Sequence, residues 1–235
     1  IYQINLAIAG IAIGTVLLPN LSKHIQSKNK KKIDFIQNKA LELSLFLSLP
    51  ATIALLIASE EITSSLFGYG SFDITSVKNS ANALFYFALG LPAFSMIKIF
   101  SSFLFARHNT KIPFYFSISS VIINIIISLY FFNKIGFIII PIATTISSWL
   151  NAFLLLIYLT NNKYYLLNLN FIKSFFKIVL STVITSYVFY YLVNKFSENL
   201  SYYSEYKLIT IVFLVIITFI VYIFISLLTK AFKTS

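Results

Sequence analysis

Cysteine is absent, arginine occurs once (Arg107), histidine twice, and acidic residues only 7 times in 235. Each scarcity excludes a class of chemistry. Without cysteine there is neither a disulfide framework nor a thiol-ligated metal site. His24 and His108 stand in separate lysine-bearing loops without metal-ligand spacing, so no metal and no cofactor are expected. No Ser/His/Asp or Cys/His set and no phosphate-cradling glycine loop is found, which argues against an enzyme. Among the acids only Glu42 falls inside an apolar stretch, so no pair of interior carboxylates could serve as a proton relay or cation site. Residues 1–19 lack the basic lead-in and the small-residue cleavage site of a signal peptide. The strict polar/apolar alternation of a membrane β-barrel is missing as well.

What the chain has is apolar length. Hydrophobic residues make up 58%, against about 45–50% in a soluble domain. A bilayer core of about 30 Å needs about 20 apolar residues per helix. Stretches of that order occupy 36–58, 79–106, 113–132, 136–160, 172–194 and 207–229, with a shorter one at 1–19. Backbone groups in hydrocarbon must pair within their own segment, and these runs are too long for barrel strands. The expected fold is all-α, a polytopic transmembrane helix bundle with six full spans and part of a seventh.

A net charge of +11 would direct a basic soluble domain toward nucleic acid. Here the charges flank the spans, mostly on one side, so anionic membrane lipids are the expected partner and nucleic acid is not. Loop 20–35 carries Lys23, Lys28, Lys30, Lys31 and Lys32, whereas 59–78 has Lys78 with Glu60, Glu61 and Asp73. Loop 107–112 has Arg107 and Lys111, and 133–135 only Lys134. Loop 161–171 has Lys163, with Lys173 and Lys177 just beyond, while 195–206 balances Lys195 against Glu198 and Glu205. The tail returns Lys230 and Lys233. The positive-inside rule then puts 20–35, 107–112, 161–171 and the C-terminus in the cytoplasm.

Breakers interrupt several spans: Pro50, the Gly90-Leu91-Pro92 step and Pro141. Each proline removes a ladder bond and kinks its helix, either as a static packing feature or as a hinge. In the first stretch Gly10 and Gly14 form a G-x-x-x-G pair that permits close backbone approach. Gly68 and Gly70 permit a tight turn in 59–78, and Asp73, Thr75 and Ser76 are candidate caps for the helix that follows. Polar residues line up at helical spacing in three spans: Ser95, Lys98 and Ser102; Ser117, Ser120, Asn124 and Ser128; Thr144, Ser148 and Asn151. These stripes either bond helix to helix or face a shared wet cavity. Lys98 stands apart. Deep in its span, it costs about 2.5–3.5 kcal/mol to insert. It either faces a hydrated cavity, where it would attract an anionic substrate group, or is neutralised by a partner or local water. The last two stretches differ from each other: 172–194 has Ser174, Ser181 and Thr185, and 207–229 is almost wholly aliphatic and aromatic.

Five segments, in order, carry a likeness: GIAIGTVLLPNLSK at Gly10–Lys23, Leu49-Pro50, LFGYGSFD at Leu66–Asp73, Gly90-Leu91-Pro92 followed by Lys98, and ARHNTKIP at Ala106–Pro113 with Arg107 and Thr110. Asn151 also stands at a frequent asparagine position. Together they resemble the MurJ/MviN family, lipid II flippases of the multidrug/oligosaccharidyl-lipid/polysaccharide exporter superfamily. The likeness runs from Ile1 to about Leu159, with hydropathy alone matching beyond.

The resemblance implies a fourteen-helix transporter of which this chain would be the C-terminal lobe, beginning inside the eighth helix. Residues 1–160 would be the lobe core, and 161–235 the last two helices with a groove for a lipid tail. Lys98 would meet the pyrophosphate of lipid II or a similar polyprenyl-pyrophosphate-linked substrate, with Gln3, Asn5, Ser95, Ser102, Asn124 and Asn151 as further cavity residues. Gly10, Gly14, Pro50, Gly90 and Pro92 would be structural or hinge positions. The implied function is movement of lipid-linked peptidoglycan precursor across the bacterial cytoplasmic membrane by alternating access. Two alternatives stand beside it, an exporter of other polyprenyl-linked oligosaccharides and a non-transporting remnant of a split gene. Departures from the family pattern are Asn5 in place of a proline and a cavity arginine that would precede Ile1. The N-terminal lobe, the expected partner, is missing from the chain.

Overall fold

The computed structural model describes residues 2–231, apart from the side chain of Asn5. Asn5, expected in the cavity, and Lys233 of the tail thus lie outside the described side chains. Helices are α1 (Tyr2–Gln26), α2 (Lys30–Ile57), α3 (Ser59–Phe67), α4 (Ile74–Phe105), α5 (Lys111–Ile135), α6 (Ile139–Asn161), α7 (Leu169–Lys195), α8 (Ser197–Leu200) and α9 (Lys207–Leu228). Residues Ala7–Ala12 of α1 form a π-helical segment around Gly10.

Among the described residues six stretches are long and apolar enough to cross a membrane, and one of them, Lys111–Asn161, is 51 residues long. At 1.5 Å per residue such a helix would run about 75 Å, more than twice a hydrocarbon core. Gly136 breaks it with φ +72°, a conformation that suits glycine. Ser120 Oγ donates to Ser147 O at 2.8 Å and Asn124 Nδ2 to Thr144 Oγ1 at 3.0 Å, pairings that only an antiparallel hairpin allows. Among the described residues seven helices are therefore long enough to span, α1, α2, α4, α5, α6, α7 and α9.

The helices outrun the apolar stretches. Loop 20–35 shrinks to a turn at Ser27–Asn29, because lysines are good helix formers and Asn29 caps α2 by accepting from Lys32 N at 3.2 Å. Hydropathy marks the edge of the bilayer, not the end of the hydrogen-bonded ladder. Helix α1 likewise continues through Pro19. Segment 59–78 is not all loop, since α3 occupies nine residues of it. Pro141 is not an interior breaker as expected. It is the third residue of α6, where its missing N–H would have had no ladder partner.

Helix α4 is the hub, packing against α1, α2, α3 and α6. Helix α5 attaches through α6, and the pair α7 and α9 attaches through α2. Two apolar clusters form the core. One lies toward the lysine-rich end, with Leu21, Leu41, Leu45, Phe100, Phe103 and Leu159. The other lies toward the acidic end, with Leu55, Leu84, Leu91, Phe189 and Leu214. Pro50 and the Ser95–Lys98 turn fall between them.

Candidate functional site

Between these two clusters, α1 crosses the polar stripe of α4. A Cβ added at Gly10 would meet Lys98 Cγ at 3.3 Å, and one at Gly14 would meet Ser102 Oγ at 3.0 Å. The glycine pair brings the α1 backbone directly onto Lys98 and Ser102. Ser102 is buried and donates to Lys98 O at 2.9 Å, so its proton is used within α4. Ser95 is fully buried and its hydroxyl has no partner among the described residues. Lys98 itself is exposed. Among the described residues its ammonium has no ion pair, and Glu42, the interior acid, stands 3.8 Å from Lys39 instead. The result is a free cation within an apolar span, with its alkyl stem held in a glycine seam.

The other expected cavity residues are dispersed. Gln3 is exposed on α1. Asn124 belongs to the α5–α6 seam, engaged with Thr144. Asn151 is buried in α6, with its carbonyl oxygen unpartnered among the described residues. The α4 stripe meets α1 at Lys98 and Ser102, while the α5 and α6 stripes join at Asn124 and Thr144. Gly90 sits where α4 approaches α6, since an added Cβ would meet Thr145 Oγ1 at 3.0 Å and the flexible Phe94 ring at 2.7 Å. Around the break at Pro92, Thr145 Oγ1 donates to Tyr86 O at 2.7 Å and Trp149 Nε1 to Leu89 O at 3.0 Å. These bonds from α6 hold the α4 backbone on the N-terminal side of Gly90.

A second feature is a groove of about 290 Å³ between α2, α7 and α9, near Pro50, Phe189 and Phe219. Its hydroxyls are spent locally. Thr182 donates to Ile178 O and Thr185 to Ser181 O, both at 2.8 Å, and Thr218 to Leu214 O at 2.7 Å. Tyr222 Oη donates to Phe46 O at 2.8 Å. Phe46 is the residue whose carbonyl Pro50, lacking an N–H, cannot serve. The proline break in α2 thus becomes an acceptor for α9, and the groove wall is left apolar. Sequence reasoning missed Tyr222; its signal was the one hydroxyl-bearing ring in the apolar stretch 207–229.

Arg107 and its neighbours form a clamp at the lysine-rich end. Arg107 donates to Phe103 O at 2.7 Å and Tyr164 O at 2.8 Å and stacks 4.9 Å from the Tyr164 ring. Gln37 Nε2 also donates to Tyr164 O, at 3.1 Å, and Tyr165 Oη donates to Asn38 Oδ1 at 2.9 Å. Burial lowers the Arg107 guanidinium pKa, yet a guanidinium remains charged. Burial raises the Tyr165 phenol, which keeps its proton as a donor. Asn109 Oδ1 accepts from Ile112 N at 3.3 Å, while Thr110 contributes no side-chain cap. Pro113 is buried in the first turn of α5. At the opposite end Lys207, 2% exposed, donates to Gly68 O and Tyr202 O, both at 2.7 Å, between the rings of Tyr69 and Tyr202. The distant partners were not visible in the sequence, because Tyr164 lies 57 residues from Arg107 and Gly68 139 residues from Lys207.

Relatives agree with this geometry over nearly the whole chain. The family profile described as "Lipid II flippase MurJ" matches residues 1–211. A probable lipid II flippase MurJ of Rickettsia prowazekii (strain Madrid E) is 37% identical over 213 residues, covering 90% of this chain and 41% of that protein. Its counterpart in Thermotoga maritima is 34% identical over 230 residues, covering 98% and 44%. The solved structure "Lipid II flippase MurJ, inward closed conformation" superposes with a TM-score of 0.77 at 25% identity, covering 97% of this chain and 45% of that one. The chain spans less than half the length of these relatives. It is a multi-pass membrane protein and belongs to the MurJ family.

Proposed function

We propose that this chain serves as the C-terminal lobe of a lipid II flippase, moving lipid-linked peptidoglycan precursor across the bacterial cytoplasmic membrane by alternating access. The observation that carries the reading is Lys98: an exposed ammonium in a membrane span, without a counter-charge among the described residues. A cation in that setting is costly unless it serves an anionic ligand, and a pyrophosphate supplies that charge. The dry groove between α2, α7 and α9 has the chemistry to receive the polyprenyl tail. Pro50 and the Gly90–Pro92 step are the positions where the lobe could flex. The lysine-rich end would face the cytoplasm, beside anionic lipids, together with the C-terminus. An N-terminal lobe would complete the cavity.

Complementation of a flippase-depleted strain tests the reading, with the chain alone and with a relative's N-terminal lobe. Lys98→Ala should lose growth rescue at unchanged membrane abundance, and Lys98→Arg should keep part of it. Full rescue by Lys98→Ala would overturn the assignment.

A further inference from the structure

The acidic end holds a second pocket, of about 170 Å³, lined by Glu60, Glu61, Ser64, Ser197, Ser201 and Tyr202. It gathers two of the chain's 7 acids in a molecule of net charge +11. Among the described residues neither carboxylate has an ion-pair partner. Ser64 is 4% exposed, and among the described residues its hydroxyl has no hydrogen-bond partner, unlike those of Thr52, Thr182 and Thr185, which bond back into their own helices. Burial, with Glu60 alongside, raises the Glu61 pKa, as expected of a carboxyl awaiting a counter-charge. No group of three or more His, Cys, Asp or Glu forms a metal cluster among the described residues. The volume exceeds what a bare ion needs.

The surroundings indicate where a ligand would come from. Leu66 and Phe67 of α3 are exposed, as are Tyr69, Tyr203 and Tyr206. Tyrosines beside an amphipathic helix mark the headgroup level of a bilayer. The geometry points to a site for a primary ammonium group, presented there by a phosphatidylethanolamine headgroup. Glu60, Glu61 and the Ser64 hydroxyl oxygen match the three donors of an –NH₃⁺ group, whereas a choline headgroup has no N–H to offer. This inference is independent of lipid II transport.

The test uses the full chain in nanodiscs of mixed phosphatidylethanolamine, phosphatidylcholine and phosphatidylglycerol, with co-purifying lipid counted by mass spectrometry. Wild type should retain phosphatidylethanolamine at least fivefold over phosphatidylcholine, and soluble ethanolamine should compete. E60Q/E61Q should abolish the preference, and Ser64→Ala should reduce it about threefold, with helical content checked by circular dichroism. Equal retention of the three lipids by wild type, or an unchanged preference in a folded E60Q/E61Q, would overturn the site. Binding of ethanolamine by discs of phosphatidylglycerol alone, with no lipid preference in mixed discs, would overturn the headgroup as its source.

Discussion

Lys98 and Lys207 both sit in apolar spans of this chain, and the structure gives them opposite environments. Lys207 opens α9 and is buried, held by two carbonyl oxygens and two tyrosine rings. Lys98 lies well inside α4, exposed, with its stem against Gly10 and no ion pair among the described residues. Depth within an apolar run therefore does not tell how a lysine is treated. The caged lysine has every reason to be structural, because its charge is already answered. The free one keeps its charge available, which suits binding of an anion.

Four measurements would sharpen or break this contrast. The largest effect is expected for Lys207→Met, which keeps the stem but leaves the Gly68 and Tyr202 carbonyls unserved and removes a charge from two ring faces. The loss should be about 3 kcal/mol, read as a lowered midpoint of thermal unfolding in detergent. A midpoint like that of wild type would show the cage to be dispensable. Next is Tyr222→Phe, which removes the hydrogen bond from Tyr222 to the Phe46 carbonyl opposite Pro50. About 1 kcal/mol should be lost, with the same loss absent if Pro50 is first replaced by alanine and the ladder bond restored.

A smaller effect belongs to Asp73, the cap of α4. The Ser76 side-chain hydrogen bond, then the Ser76 backbone N–H, hold its pKa below the ordinary carboxylate value. A depressed acid contributes stability that is complete above its unfolded pKa and lost as pH falls through the folded one. The stability difference between wild type and Asp73→Ala should therefore shrink as pH drops below the normal aspartate range, measured by paired unfolding curves. A constant difference across that range would show the cap to act without its charge. The smallest change in stability should come from Lys98→Ala, under about 0.5 kcal/mol, even as rescue of a flippase-depleted strain is lost. A large destabilisation would place Lys98 among the structural lysines with Lys207.

Much of the fold was legible because a bilayer makes one-dimensional demands. Each stretch of about twenty apolar residues must satisfy its own backbone, so 36–58, 79–106, 113–132, 172–194 and 207–229 all became helices. Their ends were misjudged where lysines at 30–32 carry α2 beyond the hydrocarbon. The polar stripes were legible as periodicities, but which helix each one faces depends on lateral packing, to which hydropathy is blind. Hence Asn124 and Asn151 look alike in sequence, yet one pairs with Thr144 across the α5–α6 seam and the other is buried in α6. The Arg107 clamp was readable only as a motif.

The sequence by itself determined that the chain crosses a membrane repeatedly and that its lysines collect in alternate loops. These follow from local composition and the cost of an unpaired backbone in hydrocarbon. Only the tertiary structure decided that Gly10 meets Lys98, that Tyr222 serves the carbonyl freed by Pro50, and that Lys207 is caged. Those outcomes depend on contacts between distant segments, which are set by how helices pack laterally.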